Sequence, residues 1–301
     1  MSRDADAMTT AVAPSVPIRL PESGLARFAL LATAVTFVLL FAQPMANTGR
    51  TWWTDPEAGH GLLLAPLAFI LAWRQGVRTD AVANPRLGLG ILVAAVLIRY
   101  VAALAADPFL SRSAMFLALG ALVIHVWGMR QVLAWWLPAL LLALSVPLPE
   151  VVLGSLALPL QLKASSLGAA LLSTRGIPVH LDGNVIRLPG HDLFVTEACS
   201  GLRSLTALLS IGVLLGGLLL RHPVTRVVLV ALALPVAVVI NGVRVFITGF
   251  LVLFVDPSLA EGFTHVTEGW LMFLVAFGIL ALVTLAAVRL ERRVLRGGRD
   301  E

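Results

Sequence analysis

Apolar residues run in long uncharged blocks along almost the whole chain, and the polar residues between them are confined to short stretches. Eight such blocks can be marked, at about 26–46, 59–74, 87–106, 110–128, 131–149, 200–220, 227–252 and 266–288. Most approach the roughly 20 residues that a helix needs to cross a hydrocarbon layer of about 30 Å. Lipid offers no partner to a backbone N–H or C=O, so each block is expected to be helical. The pattern predicts an all-α polytopic membrane protein with about eight transmembrane helices. Composition agrees: 58% of the 301 residues are hydrophobic, only 13% are charged, and the mean hydropathy is +0.92.

One connection breaks the rhythm. Residues 150–198 open with an apolar-amphipathic stretch, Glu150 to Ser173, whose small residues and lone Lys163 suit a helix lying at the membrane interface or dipping in partway; a ninth span is the alternative. Then Ile177 to Leu188 alternates apolar and polar residues around Asp182-Gly183, the signature of a β-hairpin. A small extracytoplasmic β-hairpin cap is expected there. The organisation is therefore a disordered cytoplasmic tail over 1–24, a transmembrane domain over 25–288 that includes the cap and interfacial helix at 150–198, and a basic cytoplasmic tail over 289–301. Residues 1–24 show no cleavable signal pattern.

Charge settles the expected orientation. Arg3, Arg19, Arg27, Arg74, Arg78, Arg86, Arg130, Arg221, Arg226 and the cluster Arg289, Arg292, Arg293, Arg296 and Arg299 fall on one side, against Arg50, Arg112, Lys163, Arg175 and Arg187 on the other. By the positive-inside rule both termini are cytoplasmic and the cap lies outside. The isoelectric point near 10.8 is in the range of nucleic-acid-binding proteins, but these basic residues occupy the short loops that set topology, so nucleic-acid binding is not expected.

Cys199 is the only cysteine, in Val195-Thr-Glu-Ala-Cys-Ser-Gly-Leu-Arg-Ser204, where the polar cap gives way to an apolar span. Arg203 follows at i+4, on the same helix face. A thiol near a helix N-terminus with guanidinium groups nearby has a larger thiolate fraction, as a nucleophile requires; the competing reading is a small buried hydrophobe. Helical rise brings partners to its level. From Cys199 to Arg221 is about 33 Å, from Arg226 up to Arg244 about 27 Å, and from His265 to Arg289 about 36 Å. Cys199, Arg244 and His265 thus converge at the outer boundary. An arginine inside an apolar run usually faces a protein interior or wet cavity with a partner, although Arg244 could instead snorkel to the interface. Asn241, one turn earlier, could orient the guanidinium or serve a helix contact. His265 is a candidate general base or acid, with a plain interfacial residue as the alternative. His60, in Ala58-Gly-His-Gly61, is a candidate substrate-facing group, and Glu197 and Glu268 are solvent-side or orienting groups. No Cys/His cluster of zinc-site type is present, no cofactor is expected, and a single cysteine excludes an internal disulfide.

At these residues the chain resembles the exosortase/archaeosortase family. The resemblance runs in order through Ala58-Gly-His-Gly61, Val146-Pro-Leu-Pro149, Gly176-Ile-Pro-Val179, Gly183-Asn-Val-Ile186, Glu197-Ala-Cys-Ser-Gly-Leu-Arg203, Asn241-Gly-Val-Arg244 and the segment from His265 to Gly269. It implies a Cys, Arg and His catalytic set, carried here by Cys199, Arg244 and His265. It also implies a cysteine protease or transpeptidase of the bacterial inner membrane. The substrates would be exported proteins whose C-terminus holds a Pro-Glu-Pro-type motif, a transmembrane helix and a basic tail. A thioester on Cys199 would be resolved by water or by a lipid or glycan acceptor. Two other classes compete: a transporter binding an anionic solute through Arg203 and Arg244, and a noncatalytic component of polysaccharide export.

Overall fold

The computed structural model describes residues 15–18, 22–195, 202–256 and 262–297. The chain divides into two compact units, Met1–Pro147 and Leu148–Glu301.

The N-terminal unit is built from six helices: α1 (Gly24–Thr54), α2 (Gly61–Gln75), α3 (Pro85–Leu104), α4 (Pro108–Trp127), α5 (Met129–Ala134) and α6 (Trp136–Ser145). Their starts are written locally. Ser23, Asn84 and Asp107 each cap a helix by accepting a backbone N–H three residues on, and Pro85 and Pro108 occupy first-turn positions where no N–H is needed. Helices α3 and α4 form an antiparallel pair whose seam is small: Ala95, Ala102, Ala114, Ala118 and Ala121 are fully buried, with Phe41 of α1 laid against them. Small residues let helix backbones approach closely in lipid, where packing replaces the hydrophobic effect as the source of association. At Gly88 the approach is so close that a Cβ would lie 2.5 Å from the His125 nitrogen. Helices α2 and α6 are also antiparallel. His60 Nε2 lies 3.2 Å from the Leu144 carbonyl at one end of the pair, and Trp135 Nε1 donates to the Gly76 carbonyl at 3.0 Å at the other. Strand β1 (Ser15–Val16), within the stretch expected to be a disordered tail, pairs with β2 (Val77–Arg78).

In the C-terminal unit, helices α7 (Glu150–Ser173), α8 (Leu202–Leu219), α9 (Pro223–Phe254) and α10 (Gly262–Gly297) pack side by side. Contacts fix their directions. Leu167 meets Gly242, Gly168 meets Val245 and Leu172 meets Gly249, so α7 and α9 run parallel. Gly212 meets Val230 and Gly216 meets Arg226, so α8 runs antiparallel to α9. Gly269 lies against Arg244, and Glu291 accepts from the Arg221 and His222 backbone N–H groups, so α10 is antiparallel to α9 as well. One end of this bundle therefore collects the C-termini of α7 and α9 and the N-termini of α8 and α10.

The cap sits at that end. It is a three-stranded antiparallel meander, β3 (His180–Asp182), β4 (Val185–Leu188) and β5 (His191–Phe194). The expected hairpin pairs His180 with Arg187 and Asp182 with Val185 across Gly183-Asn184; Gly183 has φ 62, a backbone state that favours glycine. A second tight turn at Pro189-Gly190 adds β5, which the sequence pattern had not separated. Ile186, Leu188 and Val195 face inward and form one core cluster with Ala164, Ala169, Leu172 and Val245.

Among the described residues, six helices are long and apolar enough to cross a membrane: Gly24–Thr54, Pro85–Leu104, Pro108–Trp127, Val151–Ser173, Pro223–Phe254 and Thr267–Val294. Gly61–Gln75, Trp136–Ser145 and Ser204–Leu219 are shorter apolar helices. The block expected at 131–149 is divided at Trp135, and the stretch read as interfacial forms the single 24-residue helix α7.

Candidate active site

Arg244 is the fixed point of the site. It sits on α9, 8% exposed, beside Asn241 at 5% and Thr248 at 4%. The i, i+4 spacing of Arg244 and Thr248 puts both on one helix face. The Thr248 hydroxyl lies 3.0 Å from the Arg244 carbonyl and 3.1 and 2.9 Å from the two carboxylate oxygens of Glu268 on α10. One hydroxyl thus has three acceptors within reach, and its contact with Glu268 ties α9 to α10. The guanidinium itself lies along α10: a Cβ added to Gly269 would be 3.3 Å from Arg244 Nη2 and 3.5 Å from Cζ. Glycine at 269 leaves room for the flat group to lie close against the helix. The Glu268 carboxylate is near enough to attract it electrostatically.

The third wall is the cap. Leu193, Phe194 and Val195 share with Arg244, Val245 and Thr248 a gap of only about 10 Å³, hardly more than one water. Val195, the last described residue before the cysteine segment, is held twice by Asn184. Its N–H donates to the Asn184 carbonyl at 3.0 Å, and the Asn184 side-chain amide donates to its carbonyl at 3.1 Å. The chain is therefore anchored beside Arg244 four residues before Cys199.

Cys199 and Glu197 lie outside the described residues. Arg203 and His265 lie in the first turns of α8 and α10, and their side chains are outside the described set. His265 is one helical turn before Gly269, the residue on which the Arg244 guanidinium rests. His60 belongs to the N-terminal unit, half-buried at the start of α2 and bonded to Leu144. The nearby glycine motif has a packing reason: a Cβ at Gly61 would lie 2.5 Å from Trp52 Cδ1, and the Trp52 indole donates to the Ser145 carbonyl at 2.7 Å. Among the described residues, no three of His, Cys, Asp and Glu gather to hold a metal ion.

Sequence reading missed Thr248 and gave Gly269 and Asn184 no role of their own. A signal existed for the first two, since Thr248 follows Arg244, and Gly269 follows His265, by four residues on a helix. Glu268 had been read as solvent-side or orienting, and its bond to Thr248 gives it the orienting position.

The family model described as "Transmembrane exosortase" matches residues 52–282, most of the chain and all of these positions. The chain belongs to the transmembrane exosortase family. This exosortase is accordingly a multi-pass membrane protein of a protein-sorting class whose substrates are exported proteins with C-terminal signals. No curated protein and no solved structure matches the chain.

Proposed function

We propose that the protein is a cysteine protease or transpeptidase that cleaves the C-terminal sorting signal of exported proteins at the outer face of the bacterial inner membrane, with both termini cytoplasmic. The observation that carries this reading is the placement of Arg244. It is a buried guanidinium that lies along α10 at Gly269, is attracted by Glu268, which Thr248 ties to α9, and is roofed by the strand that leads to Cys199. Val195 tethers the cysteine within four residues, at most about 14 Å of extended chain. The turn bearing His265 adjoins Gly269.

In the proposed reaction the substrate's transmembrane helix docks among the spans and presents its scissile carbonyl. The Cys199 thiolate attacks, Arg244 neutralises the oxyanion, and His265 protonates the leaving amine to leave a thioester. Arg203 adds positive charge beside the thiol, Asn241 supports the arginine from one turn away, and His60 and Glu197 contact or orient substrate. Water resolves the thioester in hydrolysis; a lipid or glycan nucleophile resolves it in transfer. Mass spectrometry of a substrate's C-terminus from cells with wild-type protein and with Cys199→Ala tests the assignment. Loss of cleavage with normal expression is expected, and unimpaired cleavage by the variant would remove Cys199 as the nucleophile.

A further inference from the structure

A second polar cavity, of about 190 Å³, lies in the N-terminal unit between α1, α3 and α4. Two arginines line it. Arg112, in the second turn of α4, is 9% exposed, and among the described residues its guanidinium makes one hydrogen bond, from a terminal nitrogen to the Thr51 hydroxyl at 2.6 Å. Arg99, five residues before the end of α3, reaches Gln43 at 2.9 Å. The Nε of each is buried with no hydrogen-bond partner among the described residues. Neither guanidinium has a carboxylate within 4 Å among the described residues: the salt bridges there involve Asp80 and Asp182 only. Asp107 also lines the cavity, with Oδ1 accepting from the Leu110 N–H as the α4 cap. Asp55 attracts Arg112 from a distance. The cavity therefore holds two cations against one committed carboxylate.

Burying a guanidinium in protein with nitrogens left unpartnered costs free energy unless an anion compensates. The planar fork of an arginine matches a phosphate in two-point contact, which an isolated point charge does not. The position specifies the source of that phosphate. Arg99 is about 7 Å, and Arg112 about 6 Å, from the helix ends that meet at the α3–α4 turn. The rim residues Gln43, Asn47 and Asp107 are exposed while Arg112 forms the floor. A site at this depth, open at its rim beside spanning helices, is placed where lipid headgroups lie.

We infer that the cavity between Arg99 and Arg112 binds the phosphate of a membrane lipid headgroup. The site is separate from the Arg244 chemistry and does not depend on the cysteine assignment.

The test uses the full-length protein, purified in neutral detergent and titrated with dihexanoyl phosphatidylglycerol, with binding read by native mass spectrometry. Dihexanoylglycerol supplies the chains without phosphate, and inorganic phosphate supplies the anion without chains. Arg99→Gln is half-buried and tolerable to the fold; Arg112→Lys keeps the buried charge but removes the fork. Saturable binding of the phospholipid alone, weakened at least tenfold in either variant with an unchanged size-exclusion profile, is expected. Absence of saturable binding, wild-type affinity retained in both variants, or equal binding of dihexanoylglycerol would overturn the proposal. Displacement of the lipid by equimolar inorganic phosphate would overturn the lipid as the source.

Discussion

Thr248→Val isolates the bond that ties the arginine's helix to Glu268 on α10. The change is nearly isosteric, so it opens no cavity, and it deletes one hydroxyl that faces the Arg244 carbonyl and both oxygens of Glu268. A hydrogen bond to a charged group contributes about 1.5–3 kcal/mol, whereas a neutral one contributes about 1. The fold supplies a control. Thr284 on α10 is 1% exposed and donates only to the Leu280 carbonyl at 2.8 Å. Thr284→Val thus removes the same backward bond without a carboxylate. The expected destabilisation is about 1.5–3 kcal/mol for Thr248→Val and about 1 kcal/mol or less for Thr284→Val, read from thermal or denaturant unfolding in a fixed detergent. Because Glu268, which attracts the Arg244 guanidinium, loses its tie to α9, processing by Thr248→Val should also fall about tenfold or more, one decade per 1.4 kcal/mol. Equal stability and equal processing in the two variants would refute the anchoring role.

Other predictions follow from packing and charge. A Cβ at Gly168 would lie 2.8 Å from the Val245 Cβ, well inside the usual 3.5–4.0 Å carbon contact, and Val245 is β-branched and buried, so Gly168→Ala should cost about 1–3 kcal/mol by overpacking. Adding Val245→Ala should restore part of that, and a fully additive double mutant would contradict the direct clash. Asn184→Ala keeps the backbone bond to Val195 but loses the side-chain one, so it should slow processing more than its modest destabilisation of about 1 kcal/mol accounts for; parallel losses measured by unfolding and turnover would make Asn184 merely structural. The Arg78 guanidinium hydrogen-bonds Asp80 and holds its carboxyl below the usual carboxylate range. A depressed folded value means the pair's stabilisation is present at neutral pH and is lost as pH falls through that lowered value. Asp80→Asn should therefore flatten the acid limb of a stability-against-pH curve slightly, and an unchanged limb would contradict the pairing.

Hydropathy made the membrane-crossing elements legible because lipid imposes one rule on every span, and Gly183 marked the first cap turn, although the turn closes on Gly183-Asn184, one residue past the expected Asp182-Gly183. The same uniformity hides helix faces. In a span apolar all round, nothing in the period says which side meets α9, so the parallel course of α7 and its glycine contact at Val245 could not be read. His191 to Phe194 lacks clean alternation, and β5 emerges only by pairing with β4. Arg244 was found because a charge in an apolar run is conspicuous. Its supports were not, since Thr248 and Glu268 meet across two helices, 20 residues apart. Arg112 was read only as a topological charge; its pairing with Arg99 around a cavity depends on the α3–α4 seam, which small alanines create without announcing it.

The claim on which the account turns is that the Cys199 sulfur carries the substrate as a thioester. Rapid acid quenching of the full-length enzyme with a sorting-signal substrate, followed by intact-mass and peptide mapping, tests it directly. The account predicts a hydroxylamine-labile adduct on the peptide containing Cys199, accumulating when His265 is changed in a way that slows resolution and absent in Cys199→Ala. Continued cleavage with no adduct on that peptide, or an adduct mapped to another residue, would contradict it.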